Sequence, residues 1–141
     1  MEVEFTLDIK PLSYNAYYRN TRNGKRVKTG AGLAYDEELE LLLEDYALKL
    51  VDFAAQLDDT RDYIKLVIIR FNPNFLVKDG SRLNKTSGDV DNIVKVLQDK
   101  IFKVAGIDDF FVKDLRVVEM PALDNRVYIN LKRESYPRLP R

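Results

Sequence analysis

Val3, Phe5, Leu7 and Ile9 alternate with polar residues, the period of a strand with one buried face. Pro11-Leu12-Ser13 interrupts that strand. Asn23-Gly24 then marks a hairpin turn, because both residues tolerate positive φ. Its flanks, residues 16–22 and 25–29, make a basic ribbon, and Gly30-Ala31-Gly32 reads as a hinge. From residue 33 to about 56 the period becomes helical. Tyr35, Leu39, Leu42, Leu43, Tyr46, Leu50, Phe53 and Ala54 fall on one stripe. Asp36, Glu37, Glu38, Glu40, Glu44 and Asp45 mostly cover the opposite, solvated face, and acids early in a helix also suit its dipole.

Asp58-Asp59-Thr60 reads as a turn, and the β-branched, apolar residues 63–71 as a well-buried strand. Residues 72–88 are polar, carry Pro73, Gly80 and Gly88, and read as a long loop of the kind that often serves function. A second helix is expected from Asp89 or Val90 to Ala105, with Gly106 as its stop. Its core stripe is Val90, Ile93, Val94, Leu97, Ile101 and Val104. Two closing strands follow at residues 115–119 and 126–131. The order β, β-hairpin, α, β, α, β, β predicts an α+β fold, a mixed sheet with two helices on one face. It spans residues 1–141 as a single domain, with 136–141 as a loose tail.

Composition narrows the chemistry. The length suits one domain. No apolar run approaches the ~20 residues of a membrane span, so no membrane partner is expected. The acidic start, Met1 to Phe5, reads as a strand and not as a signal peptide. A cytoplasmic setting is therefore expected, and a phage or prophage origin would suit so small a protein. The absence of cysteine excludes disulfides, thiolate nucleophiles and zinc–sulfur sites. The absence of histidine removes the commonest general base and transition-metal ligand. A hydrolase made from this chain would rely on carboxylates, lysine, hydroxyls and a hard ion such as magnesium or manganese.

The charge balances at 23 basic and 23 acidic residues, which argues mildly against nucleic-acid binding. The distribution answers that objection. Residues 36–62 hold ten acids and two bases, whereas residues 9–35 hold six bases and no acid. The remaining surface is free to be positive. Candidate DNA contacts are Arg19, Arg22, Lys25, Arg26 and Lys28 of the ribbon and Lys78, Arg82 and Lys85 of the loop. Each is equally readable as solvated surface. Tyr14, Tyr17 and Tyr18 could stack on bases, though aromatic residues in a small domain are more often core or dimer contacts.

The candidate chemistry centres on Gly88-Asp89-Val90-Asp91-Asn92. One carboxylate at a helix start is an ordinary cap, but two within this stretch exceed what a cap requires. Asp91, Lys95 and Asp99 are spaced by four and share a helix face. The plain reading of Asp91 and Lys95 is an exposed ion pair worth about 0.3–0.5 kcal/mol. Asp99, two turns along, reads as a helix-surface residue or a support for Lys95 rather than as a metal ligand. Asp108-Asp109 follows a helix that rises about 21 Å, so only the tertiary fold can return it toward Asp89. From these residues alone, a metal site and ordinary caps and turns both stand.

The run Gly88-Asp89-Val90-Asp91-Asn92-Ile93-Val94-Lys95-Val96-Leu97-Gln98-Asp99 is followed by Gly106-Ile107-Asp108-Asp109 and Val117-Val118-Glu119-Met120-Pro121. It resembles the RusA family of Holliday-junction resolvases, whose pattern is D-x-D-N-x-x-K-x-x-x-D, then a D-D pair and a strand. The opening Pro11-Leu12-Ser13-Tyr14-Asn15 with Tyr17-Tyr18-Arg19 adds weaker support. The resemblance implies catalytic, metal-binding acids at Asp89, Asp91 and one of Asp108 and Asp109, with Asp109 favoured. It implies an essential lysine at Lys95. It further implies a magnesium-dependent homodimer that nicks two strands of a four-way DNA junction in recombination and repair, without a nucleotide cofactor. Manganese is an alternative ion. Two rival readings are a nuclease of the same fold acting on flaps or forks, and a non-catalytic DNA-binding or assembly protein. The neutral charge favours the last; the retained acids count against it.

Overall fold

Along β1 (Glu2–Leu7) the alternation turns Val3, Phe5 and Leu7 inward and leaves Glu2, Glu4 and Thr6 outside. The structure is a computed structural model describing residues 1–85 and 90–137. After β1 come a one-turn helix α1 (Tyr14–Tyr17) and the ribbon β2 (Tyr18–Asn20) and β3 (Arg26–Lys28). Next are α2 (Gly30–Leu43), α3 (Ala47–Ala55), β4 (Asp62–Asn72), α4 (Asp91–Ala105), β5 (Val112–Pro121) and β6 (Arg126–Ser135). The main sheet has the order β1-β6-β4-β5. β6 runs antiparallel to both β1 and β4, while β4 and β5 are parallel. This is the expected α+β fold with a mixed sheet. Among the described residues no helix is long and apolar enough to cross a membrane.

The core lies between the helices and one sheet face. Ile64, Leu66 and Ile68 of β4 meet Val127, Ile129 and Leu131 of β6 there, all buried. Each such side chain contributes about 1.5–3 kcal/mol by leaving water. Leu39, Leu43, Leu50, Phe53, Leu97 and Ile101 close the core from the helix side. The helical stripes read from the spacing therefore face inward.

Several local expectations are revised. The helix expected over residues 33–56 is two helices, α2 and α3, separated by a tight 3-10 turn, Glu44–Tyr46. At that break Tyr46 stacks flat on Phe5 of β1, with ring centroids 4.6 Å apart. Gly30-Ala31-Gly32 is no hinge but the first turn of α2, capped by Thr29, whose Oγ1 accepts the Gly32 N–H at 2.9 Å. A Cβ at Gly32 would lie 2.5 Å from the Tyr17 carbonyl oxygen, so only glycine lets α2 approach α1 this closely. Asp36, assigned above to the solvated face, is buried at 8% exposure.

The stretch after β4 is also more ordered than a loop. Leu76 and Leu83 form an antiparallel bridge, the Val77 N–H donates to the Arg82 carbonyl at 2.9 Å, and Gly80 turns the tip at φ 74°. Residues 75–84 thus make a small finger, with Lys78 and Arg82 exposed on it and Lys85 exposed just beyond. Tyr136, expected in a loose tail, is anchored. Its N–H donates to the Arg61 carbonyl at 2.9 Å, and its ring stacks on Tyr63 at 4.4 Å. Residues 138–141 of that tail lie outside the described residues.

Candidate functional site

The parallel pairing of β4 with β5 requires a crossover, and α4 supplies it. The chain leaves the end of β4, returns along α4, and enters β5 beside the beginning of β4, where Val112 pairs with Ile64. Gly106 ends α4 in the left-handed region at φ 72°, with its N–H on the Phe102 carbonyl. The next residues then turn back under the helix. Asp109 is thereby brought to the lower part of the face that begins at Asp91.

That face borders a cleft of ≈ 360 Å³ between α4 and β5. Asp91, Lys95, Gln98 and Asp99 of the helix line it together with Asp109, over a floor of Val90, Val94, Leu115 and Val117. Burial pushes the Asp99 carboxyl up from its ordinary value, and the charge of Asp109 adds to that, while Lys95 opposes both. Asp99 thus lies within electrostatic reach of both Lys95 and Asp109. Its place four residues beyond Lys95 on one stripe signals the lysine, whereas Asp109 reaches it from beyond the helix end.

The two members of the D-D pair differ. The Asp108 carboxylate accepts the Phe110 N–H at 3.0 Å and caps the short turn Asp109–Phe111. Asp109 is the one that lines the α4–β5 cleft. At the helix start, the cap position is Val90, with no side-chain cap bond, so Asp91 is not spent as an N-cap. Asp89 lies outside the described residues. Among the described residues no three or more acids come close enough together to hold a metal ion by themselves.

The expected Asp91–Lys95 ion pair does not form. Instead the Lys95 ammonium lies over the Tyr14 ring, 5.2 Å from its centroid. Tyr14 belongs to α1, which packs against α4. Arg26 of the ribbon lies over the same ring at 4.9 Å and over Tyr18 at 5.4 Å. The ribbon is thereby fastened beside the cleft.

A buried network secures the fastening. Tyr17 donates its hydroxyl to Asp36 at 2.6 Å, Lys28 donates to the other carboxylate oxygen at 2.7 Å, and Lys100 of α4 lies 4.0 Å away while also bonding Glu40. Burial alone would raise the Asp36 carboxyl, but the hydrogen bonds from Lys28 and Tyr17 and the Lys100 charge outweigh it and hold the group below its ordinary range. Tyr17 is pushed up to about 12, first by burial and then by its bond to Asp36. Tyr17 is therefore a core residue and not a stacking platform. Lys28 is committed to Asp36, whereas Arg19, Arg22 and Lys25 are exposed and form no ion pair among the described residues.

A pH signature follows. A phenol with a raised folded-state pKa keeps its proton where the unfolded chain loses it, so stability falls as pH rises from about 10 toward 12. Asp36 acts at the acid end: its contribution is complete above the ordinary carboxylate range and is lost as pH falls through its depressed value. Urea midpoints of wild type and Tyr17→Phe, measured from pH 8 to about 12, should converge as the pH rises. A constant gap between the two across that range would refute the assignment.

The sequence reading also passed over Arg70 and Asn72, which take inward positions on β4 and are buried. Asn72 donates to Glu119 on the neighbouring strand. Burial lowers the Arg70 guanidinium from its ordinary value, with Glu119 opposing. Their inward parity along β4 was the available signal. A family model described as Endodeoxyribonuclease RusA matches residues 8–132. No curated protein matches the chain.

Proposed function

The chain belongs to the RusA endodeoxyribonuclease family, nucleases that resolve Holliday junctions, and from that premise we propose a magnesium-dependent homodimer that nicks a four-way DNA junction at two symmetric positions. The observation that carries the reading is the single cleft holding Asp91, Lys95, Asp99 and Asp109, gathered from both ends of the β4–α4–β5 crossover.

The donor chemistry fits a hard ion. With no histidine or cysteine in the chain, the available ligands are oxygens, which suit magnesium or manganese. Asp89, Asp91 and Asp109 would hold the ion; Asp108 is the weaker candidate because its carboxylate is engaged as a cap. When bound, such an ion lowers the pKa of a water and offsets charge on the scissile phosphate. Lys95, unpaired with any carboxylate among the described residues, places a point charge for a non-bridging phosphate oxygen. The exposed bases of the ribbon, Arg19, Arg22 and Lys25, and of the finger, Lys78 and Arg82, with Lys85, would bind the DNA backbone.

A symmetric dimer matches the approximate two-fold symmetry of a junction and presents two equivalent sites. The sheet face turned away from the helices carries Val67, Ile69 and Phe71 of β4, all half-buried, and it is the surface we favour for the partner.

A synthetic four-way junction incubated with magnesium, beside flap and fork substrates, tests the function. Paired nicks on the junction are expected; faster cutting of flaps or forks would shift the substrate within the same fold. Magnesium should also raise the thermal midpoint of the free protein. An unmoved midpoint with magnesium and manganese, together with no cleavage, would favour the DNA-binding or assembly reading.

A further inference from the structure

Tyr14 gathers two cations from different elements. Lys95 comes from α4 and lies 5.2 Å from the ring centroid; Arg26 comes from β3 and lies 4.9 Å from it. Arg26 also sits over Tyr18, whose ring meets Tyr14 at a tilt of 59°. Each cation is attracted to the ring, yet the two repel each other. Among the described residues neither forms an ion pair with a carboxylate. Their neighbours Lys28 and Lys100 differ in this respect, both being neutralised by Asp36 and Glu40.

We infer that Arg26 and Lys95, held by the Tyr14 ring, form one binding site for a phosphodiester of the DNA backbone beside the cleft, with Tyr14 as a positioning residue. Two positive groups over one ring, neither in an ion pair among the described residues, together favour an anion at that ring. A phosphodiester supplies that anion, and its negative charge relieves the repulsion between the cations. The ring also restricts the flexible lysine stem, so Lys95 meets the phosphate at a smaller entropic cost. The inference rests on the proposed role of Lys95 in binding phosphate. It differs from base stacking on Tyr14, because the ring is already occupied by cations.

The test compares Tyr14→Phe, Tyr14→Leu, Arg26→Ala, Lys95→Ala and their double variants. Folding is checked first by urea midpoint. Binding to a synthetic four-way junction is then measured without metal at several salt concentrations, and single-turnover cleavage with magnesium. Tyr14→Phe keeps a ring face and should stay within about twofold of wild type. Tyr14→Leu and Arg26→Ala should each weaken binding roughly tenfold, and combining them should add little. Arg26→Ala should also reduce the salt slope by about one. Wild-type binding and cleavage in Tyr14→Leu, with Lys95→Ala impaired, would overturn the inference and leave the nuclease reading standing. Additive losses in the double variant would overturn it in favour of direct base stacking. Wild-type behaviour of Lys95→Ala would remove the premise itself. Should Tyr14→Leu fail to fold, the Arg26→Ala and Lys95→Ala pair decides: coupled losses support one shared phosphate, and additive losses overturn it.

Discussion

Asp91→Asn is expected to slow junction cleavage by about a thousandfold or more, equivalent to about 4 kcal/mol of barrier, while metal-free junction binding stays within about threefold of wild type. Three features make the separation of the two effects possible. The exchange is nearly isosteric. Val90, not Asp91, occupies the cap position of α4, so the helix start loses no side-chain bond. Asp91 borders the cleft and forms no ion pair among the described residues, so removing its charge leaves no buried partner stranded. What disappears is the anionic donor proposed for the ion. Single-turnover cleavage on a gel and a metal-free binding titration measure the two quantities separately. Full activity of Asp91→Asn with magnesium present would sink the nuclease assignment of this cleft.

The second large effect separates Asp108 from Asp109. Asp109→Asn should lose cleavage on the same thousandfold scale, because Asp109 is the member of the pair that lines the cleft and faces Asp99. Asp108→Asn should keep cleavage within a few-fold of wild type. Asparagine caps a turn about as well as aspartate, so the bond to the Phe110 N–H survives the change. The opposite result, with Asp108→Asn inactive and Asp109→Asn active, would exchange the roles of the two residues. Equal activity of both variants would remove the pair from the site.

Much of this was legible along the chain. The period-2 residues Val3, Phe5 and Leu7 are inward on β1, and the period-3.6 stripe of Leu39, Leu43, Leu50 and Phe53 is buried. Gly106 stops α4 as its place after Ala105 suggested. These features depend on local repeats, which one face of one element records. Errors arose where an outcome depended on contacts from distant segments. Asp36 looked like part of an acidic solvated face, but Tyr17 and Lys28 reach it from the ribbon and Lys100 from α4. Gly30-Ala31-Gly32 looked like a hinge, because glycine signals both freedom and close approach; the Tyr17 carbonyl beside Gly32 selects the second.

The sequence by itself determined the fold class, the order of the strands, the exclusion of thiol and imidazole chemistry, and the family motif running from Asp89 through Lys95 to Asp109. Those follow from composition and from spacing within single elements. Only the tertiary structure decided how the far end of that motif meets the near end. A straight helix separates Asp91 from Asp109, and the parallel pairing of β4 with β5 turns the chain back so that both line one cleft. It likewise decided that Lys95 rests on Tyr14 and not on Asp91. The i,i+4 spacing permits an ion pair, but α1 places an aromatic face within reach of the ammonium, and no local pattern records a contact made across the fold.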